Sequence, residues 1–304
     1  MIDRKILRKS RKDKGILNKR TTAEKVVYSI VFVIFVLYAA SLIVPFIWVI
    51  IQSFQNGVIY NLNMAQGKPF ALPKEWMFEN YWTALTKMYY KDTNIIGMFF
   101  NSLWYVLLGS ALGVFFHAVT GYCFSKYEFK AKPYMMSVAI FCLIIPIVGT
   151  TGATYKLYIG MGIFDSPLQV VVTSMGGFGG NFLIMYAIFK NISWSYAEAV
   201  YIDGGSPYTA FFRIMLPQAM PAIITLFITS AIARWNSYMD VLMFLPSYPT
   251  LATGLYMIST DLVRYGGAPY YYAGMIMSTI PILIVYAAFS DAMMKNLSIG
   301  GLKG

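Results

Sequence analysis

Charged residues are so sparse and so placed that they leave six windows, each long enough for a helix to cross a bilayer: 26–51, 98–123, 134–154, 167–189, 219–242 and 271–294. A crossing takes about 20 residues of helix. Arg234 and Asp240 lie inside the fifth window, and Asp291 marks the end of the sixth. Only 12% of the 304 residues are charged and 58% are hydrophobic, whereas a soluble domain carries about 25% charged residues. The pattern predicts an all-α membrane protein of six transmembrane helices, with a basic segment 1–25, a transmembrane domain 26–297 and a short tail 298–304. The first window begins near Val26 and is too long for a signal-peptide core, so an uncleaved N-terminus is expected. Cys123 and Cys142 lie inside apolar windows and read as buried thiols rather than a disulfide.

The net charge is +11, but ten of the 24 Lys and Arg fall in residues 1–25. A basic block ahead of a hydrophobic segment sets topology or faces anionic lipid. No folded basic module follows it, so nucleic acid is not an expected partner. With the N-terminus inside, the inner segments hold 17 Lys and Arg and the outer loops six, Arg234 being the remaining one. Positive charge concentrates on the cytoplasmic side, so both termini and the loop 190–218 are expected there, in a cell membrane. The outer stretch 52–97 contains Phe78-Glu79-Asn80-Tyr81-Trp82, which reads as a short amphipathic helix; Trp76, Tyr81 and Trp82 would anchor it at the interface. Contact with an extracellular solute-binding protein is the alternative role.

The loop 190–218 reads as helix, turn, helix. Ser193 or Ser195 can cap the first helix, which continues through Ala197 to Ile202. Gly204-Gly205 permits a bend closed to most residues. Ser206-Pro207 restarts a helix with a cap and a proline in its first turn, and Leu216-Pro217 should end it. Tyr201, Ile202, Tyr208, Phe211 and Phe212 are too apolar for a loop that meets only water. They serve either a partner's groove or packing under the protein's own inner surface. Glu198 either pairs locally or bridges to a partner, and Asp203 beside Gly204 can cap the turn.

Nothing in the chain supports catalysis. A phosphate-cradling loop needs Gly-x-x-x-x-Gly-Lys-Ser/Thr, and the one Gly-Lys pair, Gly67-Lys68, is followed by Pro69. Gly176-Gly177-Phe178-Gly179-Gly180 lacks a lysine and suits a bend or close helix packing. The single histidine, His117, makes a His-rich metal site impossible, and no bound metal or cofactor is expected.

Glu198-Ala199-Val200, three residues, Gly204, nine residues, then Ile214-Met215-Leu216-Pro217 resembles the Glu-Ala-Ala loop of permease subunits in ATP-binding-cassette (ABC) importers; Val200 replaces the usual third Ala. Asn101-Ser102-Leu103, Gly121-Tyr122-Cys123-Phe124-Ser125-Lys126, Ile145-Pro146, Trp235-Asn236 and the ending Gly300-Gly301-Leu302-Lys303-Gly304 extend the likeness over nearly the whole chain from about residue 26. Together they are similar to the second permease subunit of maltose-type and multiple-sugar importers, and within it to the lipoprotein/polysaccharide branch of Gram-positive bacteria. The resemblance implies a type I importer permease fold and a heterodimer with a second permease. It also implies two ATPase subunits that hold ATP and Mg, and an extracellular solute-binding protein. It places Glu198, Ala199, Asp203, Gly204, Tyr208, Ile214, Leu216 and Pro217 at the ATPase, and the tail Gly300 to Gly304 in the ATPase interface. This implies import of a sugar or oligosaccharide by alternating access; a peptide or a phosphorylated polyol is the alternative cargo.

For the pathway, polar and aromatic residues within spans are the candidates: Asn101, Tyr105, Arg234, Trp235, Asn236, Tyr238 and Asp240. Intramembrane polar groups face a protein interior or a watery cavity. Arg234 and Asp240 are six apart, too far for an i,i+4 pair, so each should find a partner elsewhere.

Overall fold

Apart from one two-stranded hairpin, the described elements are helices. The structure is a computed structural model that describes residues 21–145, 149–263 and 267–297. The tail call, Gly300 to Gly304, and Pro146 lie outside them. The chain divides into two units, Met1–Trp76 and Met77–Gly304.

In the first unit, α1 (Thr22–Ser53) opens on a capping box. The Thr21 hydroxyl accepts from the Glu24 amide at 3.3 Å, and the Glu24 carboxylate accepts from the Thr21 amide at 2.8 Å. Two of the helix's orphan donors are thereby satisfied. Val26 to Ile47 are apolar around the helix and exposed, as a lipid-facing span requires. Asn56 caps α2 (Gly57–Ala65). The chain after it is held by side chains of α1: Trp48 donates to the Pro69 carbonyl, and Gln52 and Gln55 donate to that of Ala71.

In the second unit, the expected amphipathic helix is present as α3 (Glu79–Lys87), with Trp82 exposed and Ala84 fully buried. A hairpin of β1 (Tyr89–Tyr90) and β2 (Thr93–Asn94) leads into α4 (Ile95–Lys126). This 32-residue helix is the axis of the unit. Val114, Ala118 and Tyr122 pack at one end with Met185, Phe189 and Phe211; Ile95 and Met98 pack at the other with Leu251, Leu255 and Ala273.

Among the described residues, four helices are long and apolar enough to cross a membrane: Thr22–Ser53, Ile95–Lys126, Pro207–Asn236 and Ala268–Ser290. The third and fourth windows are not single helices. Residues 134–154 divide between α5 (Lys132–Ile144) and α6 (Thr151–Gly160). Ile145 is extended, with ψ of 113°, because a residue before proline is driven out of the helical region. Residues 167–189 divide between α7 (Pro167–Ser174) and α8 (Gly180–Asn191). The glycine-rich segment between them both breaks the helix and packs closely, since Thr120 donates to the Gly177 carbonyl at 2.8 Å. Cys142 is exposed rather than buried, Cys123 is half-buried, and both are free thiols.

The remaining elements are α9 (Ser195–Ile202), α10 (Pro207–Thr209), a π-helical turn (Ala210–Met215), α11 (Leu216–Asn236), α12 (Met239–Phe244), α13 (Leu251–Ser259) and α14 (Ala268–Leu297).

Candidate functional site

The loop 190–218 is a rigid projection rather than a flexible connection. Its first helix, α9, opens on Trp194, which has helical φ of −67° and no side-chain cap bond; the Ser193 hydroxyl before it accepts from the Ser195 amide at 3.3 Å, the bond expected of a capping serine. The helix ends in paired backbone bonds, with Gly205 donating to Val200 at 2.7 Å and Gly204 to Tyr201 at 3.0 Å. Gly204 has φ of +77°. These are the features of a Schellman termination, in which the residue after the cap is left-handed and glycine is favoured. Gly205 has a separate reason to lack a side chain: a Cβ there would lie 2.9 Å from the Val200 carbonyl oxygen. Asp203 is the C-cap through its backbone, and its exposed side chain makes no hydrogen bond among the described residues.

Ser206 then accepts from the Thr209 amide at 3.3 Å and starts α10, with Pro207 in the first turn. The expected stop at Leu216-Pro217 does not occur. The helix passes through the π turn, where the Leu216 amide donates to Phe211, five residues back, and continues to Asn236. The wider turn absorbs the proline's ring and missing donor, which would otherwise break the helix. Gln218 supplies a side-chain donor to the Ile214 carbonyl.

The apolar residues of this loop divide into two sets. Ala197, Ala210, Phe211 and Met215 are buried against Tyr122 of α4 and Phe189 of α8, the rings of Tyr122 and Phe211 lying 4.8 Å apart. Phe212 stacks on Phe115, and Tyr201 packs at a tilt against Trp194. Lys126 at the end of α4 donates to the Ile192 carbonyl. Burial holds the Tyr127 and Tyr201 hydroxyls above the ordinary tyrosine pKa, so both stay neutral donors. Against this fixed floor, Ile202 is 86% and Tyr208 77% exposed, one on each side of the bend. Glu198 and Ala199 are exposed beside them, and Glu198 forms no ion pair among the described residues. Pro217 is exposed, while Ile214 and Leu216 are half-buried.

A second feature is a polar cavity of about 480 Å³ in the second unit. Tyr105, Arg234 and Asp240 line it, together with Gln169, Thr173 and Ser230. Arg234 and Asp240 do find separate partners: Arg234 donates to the Ser174 hydroxyl at 3.1 Å, and Asp240 accepts from Ser237 at 2.8 Å. The other sequence candidates do not line the cavity. Asn101 donates to the Pro249 carbonyl at 3.1 Å, and Trp235 to that of Ser278 at 3.2 Å. Asn236 bonds back to Ile232 on its own helix, and Tyr238 stacks on Tyr256 with centroids 4.3 Å apart. Gln169, Thr173 and Ser230 were not anticipated. Their signal is helical spacing, since Gln169 and Thr173 are four apart on α7, and Ser230, Arg234 and Ser237 are four and three apart on α11. Among the described residues no cluster could hold a metal ion.

No profile of a known protein family matches the sequence. Individual relatives do. The diacetylchitobiose uptake system permease protein NgcG of Streptomyces coelicolor is 25% identical over 274 residues, which are 87% of this chain and 85% of that one. The arabinooligosaccharides transport system permease protein AraQ of Bacillus subtilis is 27% identical over 239 residues, 76% of this chain and 81% of that one. The fold is shared with a bacterial ABC transporter involved in import of the acidic polysaccharide alginate, with a TM-score of 0.71, 20% identity and cover of 90% of this chain and 98% of the other. The chain is similar over most of its length to ABC transporter permeases. Permease subunits of such transporters are not themselves enzymes, and ATP hydrolysis belongs to a partner ATPase. The apolar helices accord with this assignment, and the permease is a multi-pass membrane protein.

Proposed function

We propose that this permease forms one half of the pathway through which an importer moves a sugar or oligosaccharide by alternating access, driven by an ATPase docked on the loop 195–217. The observation that carries the reading is the exposed pair Ile202 and Tyr208 on a bend backed by a buried floor. An exposed apolar knob on a rigid helix pair fits a partner's groove with little ordering cost. Glu198, exposed and without an internal partner, can meet a basic group on that ATPase. In this reading Ala199 gives close approach, Asp203 and Gly204 shape the bend, and Ile214, Leu216 and Pro217 connect it to the membrane.

The same reading has six crossings with both termini in the cytoplasm, four by single helices and two by the pairs α5–α6 and α7–α8. Irregular backbone at membrane depth is tolerated only where protein or water covers it. The exposed Ile144 and Ile145 beside the α5–α6 break therefore favour a second permease at that face. Segment 1–25 would face lipid, and the tail 298–304 would reach the ATPase interface. ATP and Mg would be held by two ATPase subunits, and a solute-binding protein would deliver the cargo from outside. The sugar substrates of the relatives favour a carbohydrate over a peptide or phosphorylated polyol.

Cysteine cross-linking tests the docking. Ile202→Cys and Tyr208→Cys in the complete complex should each cross-link to the ATPase subunit, and Val26→Cys on α1 should not. Cross-linking of neither loop cysteine would remove the loop as the docking element.

A further inference from the structure

The cavity on α4, α7 and α11 holds one feature that neutral sugar recognition leaves without a purpose. Arg234 is a cation within a membrane-spanning helix, and among the described residues it forms no ion pair. It donates to the Ser174 hydroxyl at 3.1 Å and hydrogen-bonds the Tyr105 side chain, its guanidinium lying 5.7 Å from the centre of that ring. The berth is built for it. A Cβ on Gly109 would sit 2.5 Å from Nη1 and 2.6 Å from Cζ, so any side chain at 109 would displace the group. An unpaired charge in a span is expensive and marks a functional path. The one acidic residue of the cavity does not discharge it. Asp240 is held by Ser237 and stands in the first turn of α12, where a carboxylate is already favoured.

An independent observation comes from α7. Gln169 is 8% exposed, and its Oε1 has no hydrogen-bond partner. A buried acceptor left unpaired costs free energy unless a donor arrives. The cavity thus offers a guanidinium without an ion-pair partner among the described residues and a buried acceptor without a hydrogen bond, with the hydroxyls of Thr173 and Ser230 nearby.

We propose that this cavity recognises an acidic sugar, a unit that bears a carboxylate beside hydroxyls, with Arg234 as the specificity-determining residue. The inference rests on the sugar-import reading above. Arginine presents parallel N–H donors that match a carboxylate, and a turn of the Gln169 amide toward the cavity would let a sugar hydroxyl supply the donor that its Oε1 lacks. A phosphate ester fits less well, because its second negative charge would face Asp240 across the same space.

The test is uptake of trigalacturonate and of its fully methyl-esterified form by the complete importer in sealed vesicles. The ester keeps the shape and removes the charge. The parent should favour the acid, and Arg234→Gln should lower the acid-to-ester ratio by about tenfold or more, the worth of one lost charge-assisted pairing. Arg234→Lys should keep part of that preference. Recovery of each variant complex from membranes separates these effects from failure to assemble. A parent that takes the ester as fast as the acid, or a ratio unchanged in Arg234→Gln, overturns the proposal and leaves sugar import standing. Loss of acid and ester uptake in equal proportion makes Arg234 a helix lock and also overturns it. Uptake of galactose 6-phosphate but of neither trisaccharide by the parent overturns the proposal together with the sugar-polymer reading.

Discussion

Two adjacent glycines show how a short motif encodes a shape. Gly204 is needed for its left-handed backbone and Gly205 for its clearance from Val200. Gly204→Ala should therefore cost about 1–2 kcal/mol of local stability, the penalty of a left-handed Cβ. The variant should insert normally yet show weaker ATPase coupling, and Gly204→Asn should be milder because Asn tolerates that conformation. Equal ATPase stimulation in the parent and in Gly204→Ala would remove the conformational argument. The need for glycine was legible in the sequence, but its separate causes were not, because both depend on hydrogen bonds that close only when α9 is formed. Arg234, Tyr105 and Asp240 were legible as polar groups in apolar windows. Trp235 was equally conspicuous, yet it donates to Ser278 on α14 and does not line the cavity. Sequence shows that a polar group must find a partner; which side of the helix offers one depends on the neighbours.

At the scale of elements, the uncharged windows located the spans but could not separate one crossing helix from two shorter ones. Composition is the same in both cases. The local breakers carried the difference: Ile145 before Pro146, and the glycine run before α8. Pro217 was read as a breaker by the same logic and is not one, because the π turn rearranges the hydrogen bonds ahead of it. Period and propensity do not report a π turn, which forms only under tertiary packing. The restart at Ser206 was legible as a cap, and it has a measurable worth. Ser206→Ala should cost about 1 kcal/mol, loosening α10 and lowering the cross-linking yield from Tyr208→Cys relative to Ile202→Cys. Equal yields with and without the serine would show that packing alone holds the turn.

For the whole molecule, the continuous helix Pro207–Asn236 links the docking bend to the cavity. Arg234 lies 27 residues beyond Pro207 on it, some 40 Å at ~1.5 Å per residue. With an ATPase docked as proposed, movement imposed at the bend would be carried along this helix toward the cavity wall, and α4 packs beside it from the same buried floor to Tyr105. ATP can drive such a switch only through a difference in affinity between the two states. About 5.5 kcal/mol moves an equilibrium from 1:99 to 99:1, an amount that two nucleotides closing an ATPase pair can supply. The most direct measurement is ATP-dependent uptake of labelled trigalacturonate and of the corresponding neutral trisaccharide by the complete importer in sealed vesicles, comparing the parent with the double variant Ile202→Glu, Tyr208→Asp. The account predicts that the parent accumulates at least one of these sugars, and that the variant is inserted but accumulates no more than vesicles without ATP. ATP-driven accumulation by the variant at the parental rate would contradict it.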